Sequence, residues 1–190
     1  MRRIGIIGDI GSGKSYISSH FGYPVFNADK EVENLYRKNK RIFSKLKKTI
    51  PNYINSFPID KKEISSAILN NKNNLKKIIK IIHPEVRGKM QTFLNKNKNK
   101  QFVILDIPLL LENKIANKND ILIFVETRKN QVFKRLKMRK NFNQNLLNKF
   151  KKIQLPLDYK RKKSDFIIKN DFTKKTIVKN IKNILDKINK

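Results

Sequence analysis

The sequence feature that most constrains the fold is a glycine-rich segment near the N-terminus, GDIGSGKS at residues 8–15. The apolar run RIGII at residues 3–7 precedes it and predicts a short buried strand. The spacing of Ile17 and Phe21 predicts a short helix that begins at Lys14. A strand, a loop of the form Gly-x-x-x-x-Gly-Lys-Ser and a helix, in this order, are typical of a loop that binds phosphate groups. We therefore expect a nucleoside triphosphate here, and the alternative is a glycine-rich turn that binds nothing.

Each residue type of this loop suits phosphate chemistry. Glycines let backbone N–H groups point inward, and the helix N-terminus adds a partial positive charge. The Lys14 ammonium is expected to reach the β- and γ-phosphates, and the Ser15 hydroxyl to hold Mg²⁺. The residues predicted to bind the nucleotide are Gly11, Ser12, Gly13, Lys14, Ser15 and Tyr16. The motif does not identify the group that accepts the phosphate.

Apolar strands alternate with helical patterns along the rest of the chain. Further strands are predicted at residues 23–27, 101–106, 120–126 and 165–170. Helices are predicted at 28–38 and, in pieces broken by Pro51 and Pro58, over 40–70. One helix is predicted from 75 to about Ile82 and another from Pro84 to 94. Further helices are predicted at 129–140, over a basic stretch to about 163, and from Thr173 onward. In the last of these, Ile177, Ile181, Ile184 (or Leu185) and Ile188 are expected to face inward. This alternation predicts an α/β fold with a parallel sheet covered on both faces.

The net charge of +30 first suggests a polyanionic partner such as nucleic acid. However, 36 of the 45 basic residues are lysines spread along the whole chain, and Lys, Asn and Ile together make up 87 of 190 residues. All three have A/T-rich codons, so compositional drift explains the charge better than selection for a nucleic-acid surface. We expect no specific nucleic-acid partner, although the electrostatic field of the protein attracts phosphate-bearing substrates.

The chain has no cysteine and no apolar run long enough to cross a membrane, and we expect a cytoplasmic protein with no membrane partner.

Three further residues are candidates for the chemistry, each with a structural alternative. Asp29 follows a predicted strand at the carboxyl edge of the sheet, where it is either a base for an acceptor hydroxyl or a helix cap. Asp106 ends the most apolar strand, where it either helps to hold Mg²⁺ through water or is only a polar strand end. His83 precedes Pro84, a position more typical of a structural histidine than of a catalytic one.

Six segments together resemble the dephospho-coenzyme A kinase family, over residues 3 to 189. They are IGIIGDIGSGKS, VFNAD, HPEVRGKM, VILDIPLLLE, KRLKMR and QLPLDYKRKKSDFIIKN. The resemblance implies ATP-dependent phosphorylation of the ribose 3′-hydroxyl of dephospho-coenzyme A, with Mg²⁺. It also implies a three-layer P-loop kinase domain over 1–190, with a five-stranded parallel sheet. Its core would be 1–37, 91–136 and 164–190, its helical acceptor-binding insertion 38–90 and its lid 137–163.

The resemblance also implies residue roles. Asp29 matches the carboxylate regarded as the base, and Lys14 and Arg139 are the other residues expected to act in catalysis. Arg135 and Arg139 match cationic positions that lead into the lid, where they would offset charge on the transferring phosphoryl group, and a solvated basic helix face stays open as the alternative. Asn170 matches a loop near the adenine, with a plain turn as the alternative. The residues expected on the acceptor side are Asp29, His83, Arg87, Pro108, Leu109 and Glu112.

Four positions depart from the pattern of this family. Asn27 stands where an Asp is usual, Asp9 where Gly is common, Tyr16 where Thr is common, and Lys140 where an Asp commonly follows the lid arginine. Asp9 brings a negative charge to the phosphate loop. These departures bear on rate and affinity. Two other classes stay open: a P-loop kinase for a nucleoside or nucleotide, and a basic nucleic-acid-binding protein. A monomer is favoured, with an oligomer also possible.

Overall fold

The computed structural model describes residues 1–140 and 142–189. Asn141 and Lys190, which belong to the predicted lid and core, lie outside the described residues. The elements of the described residues are five strands and nine helices: β1 (Arg2–Gly8), α1 (Lys14–Ser19), β2 (Val25–Asn27), α2 (Ala28–Lys38), α3 (Lys40–Thr49), α4 (Lys61–Asn70), α5 (Asn74–Lys96), β3 (Phe102–Asp106), β4 (Ile121–Glu126), α6 (Lys129–Lys137), α7 (Gln144–Lys152), α8 (Leu157–Lys162), β5 (Phe166–Lys169) and α9 (Lys174–Ile188).

The five strands form one parallel sheet in the order β2-β3-β1-β4-β5. Every residue of β3 is buried. Because successive side chains of a strand point to opposite faces, both faces of the sheet are covered at β3. The predicted α/β fold with a parallel sheet is confirmed. The carboxyl ends of β1, β2 and β3 lie at one edge, so Gly8, Asn27 and Asp106 end their strands there.

The chain divides into two compact units. The first comprises residues 1–27, 97–142 and 151–190, and it contains the whole sheet. Its core is built on the strands and on the inward face of α9, where Ile177, Ile181, Ile184 and Ile188 are buried as predicted.

The second unit comprises residues 28–96 and 143–150 and is helical. Its core contains Leu35, Ile42, Leu46 and Ile78, with Phe150 of α7 packed against it. The Lys149 ammonium donates hydrogen bonds to the carbonyls of Ile68 and Leu69 at the end of α4, at 2.7 and 3.0 Å. A cation at a helix C-terminus is stabilised by carbonyls that lack partners inside the helix. Residues 143–150 of the predicted lid thus belong to this unit, and 151–163 to the first. The division into core, insertion and lid stays a prediction.

One helix prediction is wrong. Two helices were expected, one ending near Ile82 and the other starting at Pro84, whereas α5 runs without a break from Asn74 to Lys96. Proline in a helix interior removes one hydrogen bond and crowds the preceding turn. Here the helix packs on α2, α3 and α4 and buries Ile78, Ile82 and Leu94. Packing of an apolar face outweighs the local penalty, as it commonly does in proteins.

Smaller corrections concern the ends of elements. The helix predicted at 129–140 ends at Lys137, so Arg139 lies in the turn that follows it. The strand predicted at 23–27 begins only at Val25, after Pro24. At the start of α4, the Asp60 side chain accepts from the Lys62 N–H at 2.8 Å and so caps the helix.

Candidate active site

The phosphate-binding loop lies where it was predicted, between β1 and α1 in the first unit. Gly11 and Gly13 have φ angles of 82° and 92°, a left-handed conformation that favours glycine. A Cβ at Gly13 would come within 2.5 Å of the Asn170 side-chain nitrogen. A Cβ at Gly11 would come within 2.9 Å of Leu136 on α6. These two glycines are therefore required both by the backbone conformation and by the neighbours that pack on the loop.

Lys14 is almost completely buried, with 8% of its surface exposed. Its ammonium donates to the carbonyl oxygens of Asp9 at 2.6 Å and Gly8 at 3.4 Å. The cation is thus held inside the loop by the loop's own backbone. This position suits a point charge that faces phosphate oxygens.

Asp106 is brought to the loop by the sheet. Its carboxylate accepts hydrogen bonds from the Ser15 hydroxyl and from the Asn27 side-chain amide, and the Lys14 charge acts on it. Burial raises the pKa of Asp106, while these hydrogen bonds and the Lys14 charge oppose that rise. Hydroxyl and carboxylate oxygens are donors that Mg²⁺ prefers. Ser15 and Asp106 therefore form a donor set that fits this ion.

The carbonyl of Ser12 fixes the loop to the rest of the first unit. It accepts hydrogen bonds from the Asn170 amide at 2.7 Å and from the Thr127 hydroxyl at 3.2 Å. Asn170 is 4% exposed, and its other side-chain atom accepts from the Phe172 N–H at 2.8 Å. Asn170 is thus a support for the phosphate-binding loop. Its predicted place near the adenine stays a prediction.

Asp9, one of the departures noted in the sequence, uses its carboxylate locally. Oδ1 accepts from the Ile10 N–H at 2.7 Å, and the Asp9 carbonyl accepts from the Ser12 N–H at 3.2 Å. The residue thus stabilises the turn of the loop. Tyr16 is 45% exposed on α1, with its ring 4.3 Å from that of His20.

The arginines that lead into the predicted lid are exposed at the end of α6. Val132 and Leu136 of the same helix pack against the loop at Gly11. The Arg135 guanidinium carbon lies 4.0 Å from the centre of the Phe172 ring. Arg139 follows in the turn after the helix.

The segment after β3 contains Pro108, Leu109 and Glu112. Pro108 and Leu109 are partly exposed, whereas the Glu112 side chain is 8% exposed and lies 2.6 Å from the Lys160 ammonium. Glu112 also accepts from the Leu155 N–H at 3.0 Å. The glutamate thus ties this segment to α8.

The other predicted acceptor-side residues belong to the second unit. Asp29 is exposed in the first turn of α2. His83 and Arg87 are four residues apart on the continuous helix α5, so they share one helix face. Burial, followed by the Arg87 charge, lowers the pKa of His83, which favours the neutral imidazole. Glu31 of α2 pairs with Lys89 of α5 at 3.6 Å, which brings the start of α2 beside the middle of α5.

The structure therefore brings together Lys14, Ser15 and Asp106, and it brings Asp29 close to the helix that carries His83 and Arg87. The sequence did not predict three contacts: the Thr127 hydroxyl with the phosphate-binding loop, the Lys160 ammonium with Glu112, and the Phe172 ring with Arg135. The pair of Asn27 and Asp106 was foreseeable in part, because both residues end strands at the same edge. Among the described residues, no helix is long and apolar enough to span a membrane.

The chain matches known proteins over most of its length. The matching family model describes dephospho-CoA kinase and covers residues 2–176. A dephospho-CoA kinase of Wolbachia sp. subsp. Brugia malayi (strain TRS) is 35% identical over 190 residues, 97% of this chain and 97% of that protein.

Solved structures with similar folds include TT1252 from Thermus thermophilus, with a TM-score of 0.79 and 25% identity over 98% of this chain and 97% of that one. A dephospho-CoA kinase from Campylobacter jejuni has a TM-score of 0.60 and 24% identity, again over 98% and 97% of the two chains. This second likeness concerns the fold alone.

Proposed function

The chain belongs to the dephospho-CoA kinase family and phosphorylates dephospho-CoA, the last step of coenzyme A biosynthesis, and we propose how its own residues carry out the transfer. The family implies ATP as the donor of the phosphoryl group. The acceptor is the ribose 3′-hydroxyl, and the products are coenzyme A and ADP. The observation that carries the proposal is the hydrogen bond of the Asp106 carboxylate with the Ser15 hydroxyl, beside the Lys14 ammonium.

The triphosphate binds to the loop between β1 and α1. Backbone N–H groups of residues 11–15 hold its oxygens, and the Lys14 ammonium exchanges its contact with the Asp9 carbonyl for the β- and γ-phosphates. Ser15, with Asp106 acting through water, would hold Mg²⁺. When bound, this ion offsets the negative charge that the β- and γ-oxygens carry.

Asp29 acts as the base. Its carboxylate orients the 3′-hydroxyl and accepts its proton as the hydroxyl oxygen forms a bond to the γ-phosphorus. The bond from that phosphorus to the β-γ bridging oxygen breaks, and ADP leaves with that oxygen. Arg139 offsets charge on the transferring group.

His83, Arg87, Pro108 and Leu109 are proposed to bind the acceptor. Support for the first two comes from their shared face on α5 and from the low pKa of His83, which leaves a neutral ring able to hydrogen-bond. For Glu112, the ion pair with Lys160 supports a role in holding the segment after β3, beside its predicted role toward the acceptor. The cytoplasmic location and the monomeric state stay predictions.

The test is a coupled assay of ADP release with ATP, Mg²⁺ and dephospho-CoA, run beside a panel of nucleosides and nucleotides. We expect release with dephospho-CoA alone and detection of coenzyme A by mass. Release with a nucleoside would retain the roles of the loop and overturn the acceptor. The absence of turnover with every acceptor would overturn the kinase mechanism.

A further inference from the structure

A buried lysine lies in α8, a helix whose other residues are exposed or only partly buried. Lys160 is 1% exposed, and of the six residues of α8, all of which the structure describes, it is the one that is buried. An ammonium loses its hydration on burial, and this cost is offset only where a group of opposite charge lies close. That group is the Glu112 carboxylate, which is 2.6 Å away in the segment after β3.

The Glu112 carboxylate is held by two contacts from one short stretch of chain. Its Oε1 lies 2.6 Å from the Lys160 ammonium and also accepts a hydrogen bond from the Leu155 N–H at 3.0 Å. Leu155 directly precedes the start of α8, and α8 packs on β1 of the sheet. The two contacts therefore fix Glu112 to a part of the first unit that the sheet itself supports.

The segment after β3 is thus fixed at both of its ends. At the end next to the strand, the side chains of Ile107 and Leu110 are buried. At the far end, Glu112 makes its two contacts with the chain at α8. Pro108 and Leu109, which lie between Ile107 and Glu112, are partly exposed. Their position therefore depends on the contacts of Glu112 as well as on the strand.

Stability alone does not account for an ion pair at this place. The burial of two charges costs about as much free energy as their attraction supplies, and apolar residues of similar volume often stabilise a protein equally well or better. Once the pair is present, however, separating its members leaves a buried charge without compensation, which is strongly unfavourable. The pair therefore restricts the segment to one arrangement more strictly than an apolar contact does.

We propose that Lys160 is a positioning residue for the acceptor substrate. Through Glu112 it fixes the segment after β3, so that Pro108 and Leu109 lie where they bind dephospho-CoA. The ammonium is buried against Glu112, so Lys160 acts through that residue and not by contact with a substrate. The inference rests on the proposed function, because that function assigns Pro108 and Leu109 to the acceptor.

A positioning role and a purely structural role differ in steady-state kinetics. A purely structural role lowers the fraction of folded enzyme, which lowers the apparent kcat and leaves both KM values unchanged. Lys160→Met keeps a side chain of similar length and removes the charge. We expect it to raise KM for dephospho-CoA about tenfold and to leave KM for ATP within about twofold. Calorimetric titration with dephospho-CoA should show a matching loss of affinity.

Further variants identify the cause of this effect. Lys160→Arg retains a cation opposite Glu112 and should keep KM for dephospho-CoA within about threefold of the parent protein. Lys162→Met is the matched control, because it removes the same charge from an exposed position of α8, and it should change neither KM. The double variant Glu112→Leu, Lys160→Met buries neither charge, so it should fold stably and still have a raised KM for dephospho-CoA. That KM should be no higher than in Glu112→Leu alone, because Lys160 acts through Glu112.

An unchanged KM for dephospho-CoA in Lys160→Met, with or without a lower kcat, would show that the pair is only structural. An equal rise in both KM values, or an equal rise in the Lys162→Met control, would show that the effect is not specific to the acceptor segment. Effects of Lys160→Met and Glu112→Leu that multiply would show that Lys160 acts apart from Glu112. Each of these results would overturn the inference. Failure of the parent protein to phosphorylate dephospho-CoA would overturn the proposed function instead, and the calorimetric titration, which needs no turnover, would still test Lys160.

Discussion

Asp106 is subject to two opposed requirements. Burial favours its neutral form and raises its pKa, whereas a role beside Mg²⁺ and the Ser15 hydroxyl requires the carboxylate. Its hydrogen bonds with Ser15 and Asn27 and the Lys14 charge partly offset the cost of the buried charge. The site therefore holds a carboxyl group whose pKa lies above the ordinary value of 3.8.

This conflict predicts opposite effects of pH on stability and on activity. Because the folded-state pKa is raised, the contribution of Asp106 to stability is full below 3.8 and is lost as the pH rises through the folded value. Over the same range, kcat/KM should increase as the carboxylate ionises. Asp106→Asn should lower activity about 10- to 100-fold. It should also remove both the pH-dependent loss of stability and the pH-dependent rise of kcat/KM, as measured by denaturant unfolding and pH–rate profiles.

Asp120→Asn is the control for this prediction. Asp120 is also buried with a raised pKa, but it pairs with Arg3 at 2.7 Å and ends no strand at the loop. In that variant, the pH-dependent loss of stability that Asp120 causes should disappear, and the rise of kcat/KM with pH should remain. If kcat/KM of Asp106→Asn still rose with pH over this range, the role assigned to Asp106 would be wrong.

Asp29 is tested by removing its charge without changing its shape. Asp29→Asn should lower kcat about 10²- to 10⁴-fold, because the hydroxyl loses its base, and should leave the affinity for ATP nearly unchanged. Glu31→Gln removes a carboxylate from the same first turn of α2 and should leave kcat within about twofold. Single-turnover assays measure the chemical step. A normal rate in Asp29→Asn would rule out its role as the base.

At the scale of secondary structure, the sequence predicts strands better than it predicts the ends of helices. The strand 102–106 is a continuous apolar run with no competing pattern, and it lies within one residue of its predicted bounds. At Pro84 a local rule predicts a break, but packing of Ile78, Ile82 and Leu94 keeps one helix. The strand pattern is local in origin, whereas the continuity of α5 comes from its neighbours.

The site shows the same distinction. The loop at residues 8–15 could be predicted from the sequence because its chemistry depends on adjacent residues. The burial of Lys160 could not be predicted, because this residue belongs to a basic run, YKRKK, that is typical of a solvated helix. In the structure Lys160 is only 1% exposed. Its partner Glu112 lies 48 positions earlier in the chain. Contacts of this kind depend on the packing of α8 and leave no pattern in the sequence.

We expect that breaking the buried ion pair of Glu112 and Lys160 has a large effect on stability. The Lys160 ammonium lies 2.6 Å from the Glu112 carboxylate, and both side chains are almost completely buried, at 1% and 8% exposed. Glu112→Gln leaves that charge buried and should lower the free energy of unfolding by about 3–5 kcal/mol. The double variant Glu112→Leu, Lys160→Met should recover most of the loss in urea unfolding. Unchanged stability of the Gln variant would contradict this account.

At the scale of the whole molecule, the net charge of +30 bears on how fast anionic substrates arrive. Exposed charges act over about one Debye length, roughly 10 Å at 0.1 M salt. Lys134 and Lys137 are exposed on α6, which packs on the loop at Gly11. Lys100 and Lys187 are exposed at the opposite end of β1, where Arg2 bonds to Gln101 and Ile188. A strand of 7 residues separates that end from the loop by roughly 20 Å.

This geometry predicts which lysines matter. In stopped-flow binding of a fluorescent ATP analogue at low salt, replacing Lys134 and Lys137 with Gln should lower the association rate about twofold and leave dissociation unchanged. Replacing Lys100 and Lys187 with Gln should have no effect, because the loop lies beyond the screening distance. The difference between the two pairs should disappear in about 0.5 M salt. Equal effects of both pairs would instead mean that attraction depends on total charge, whatever its position on the surface.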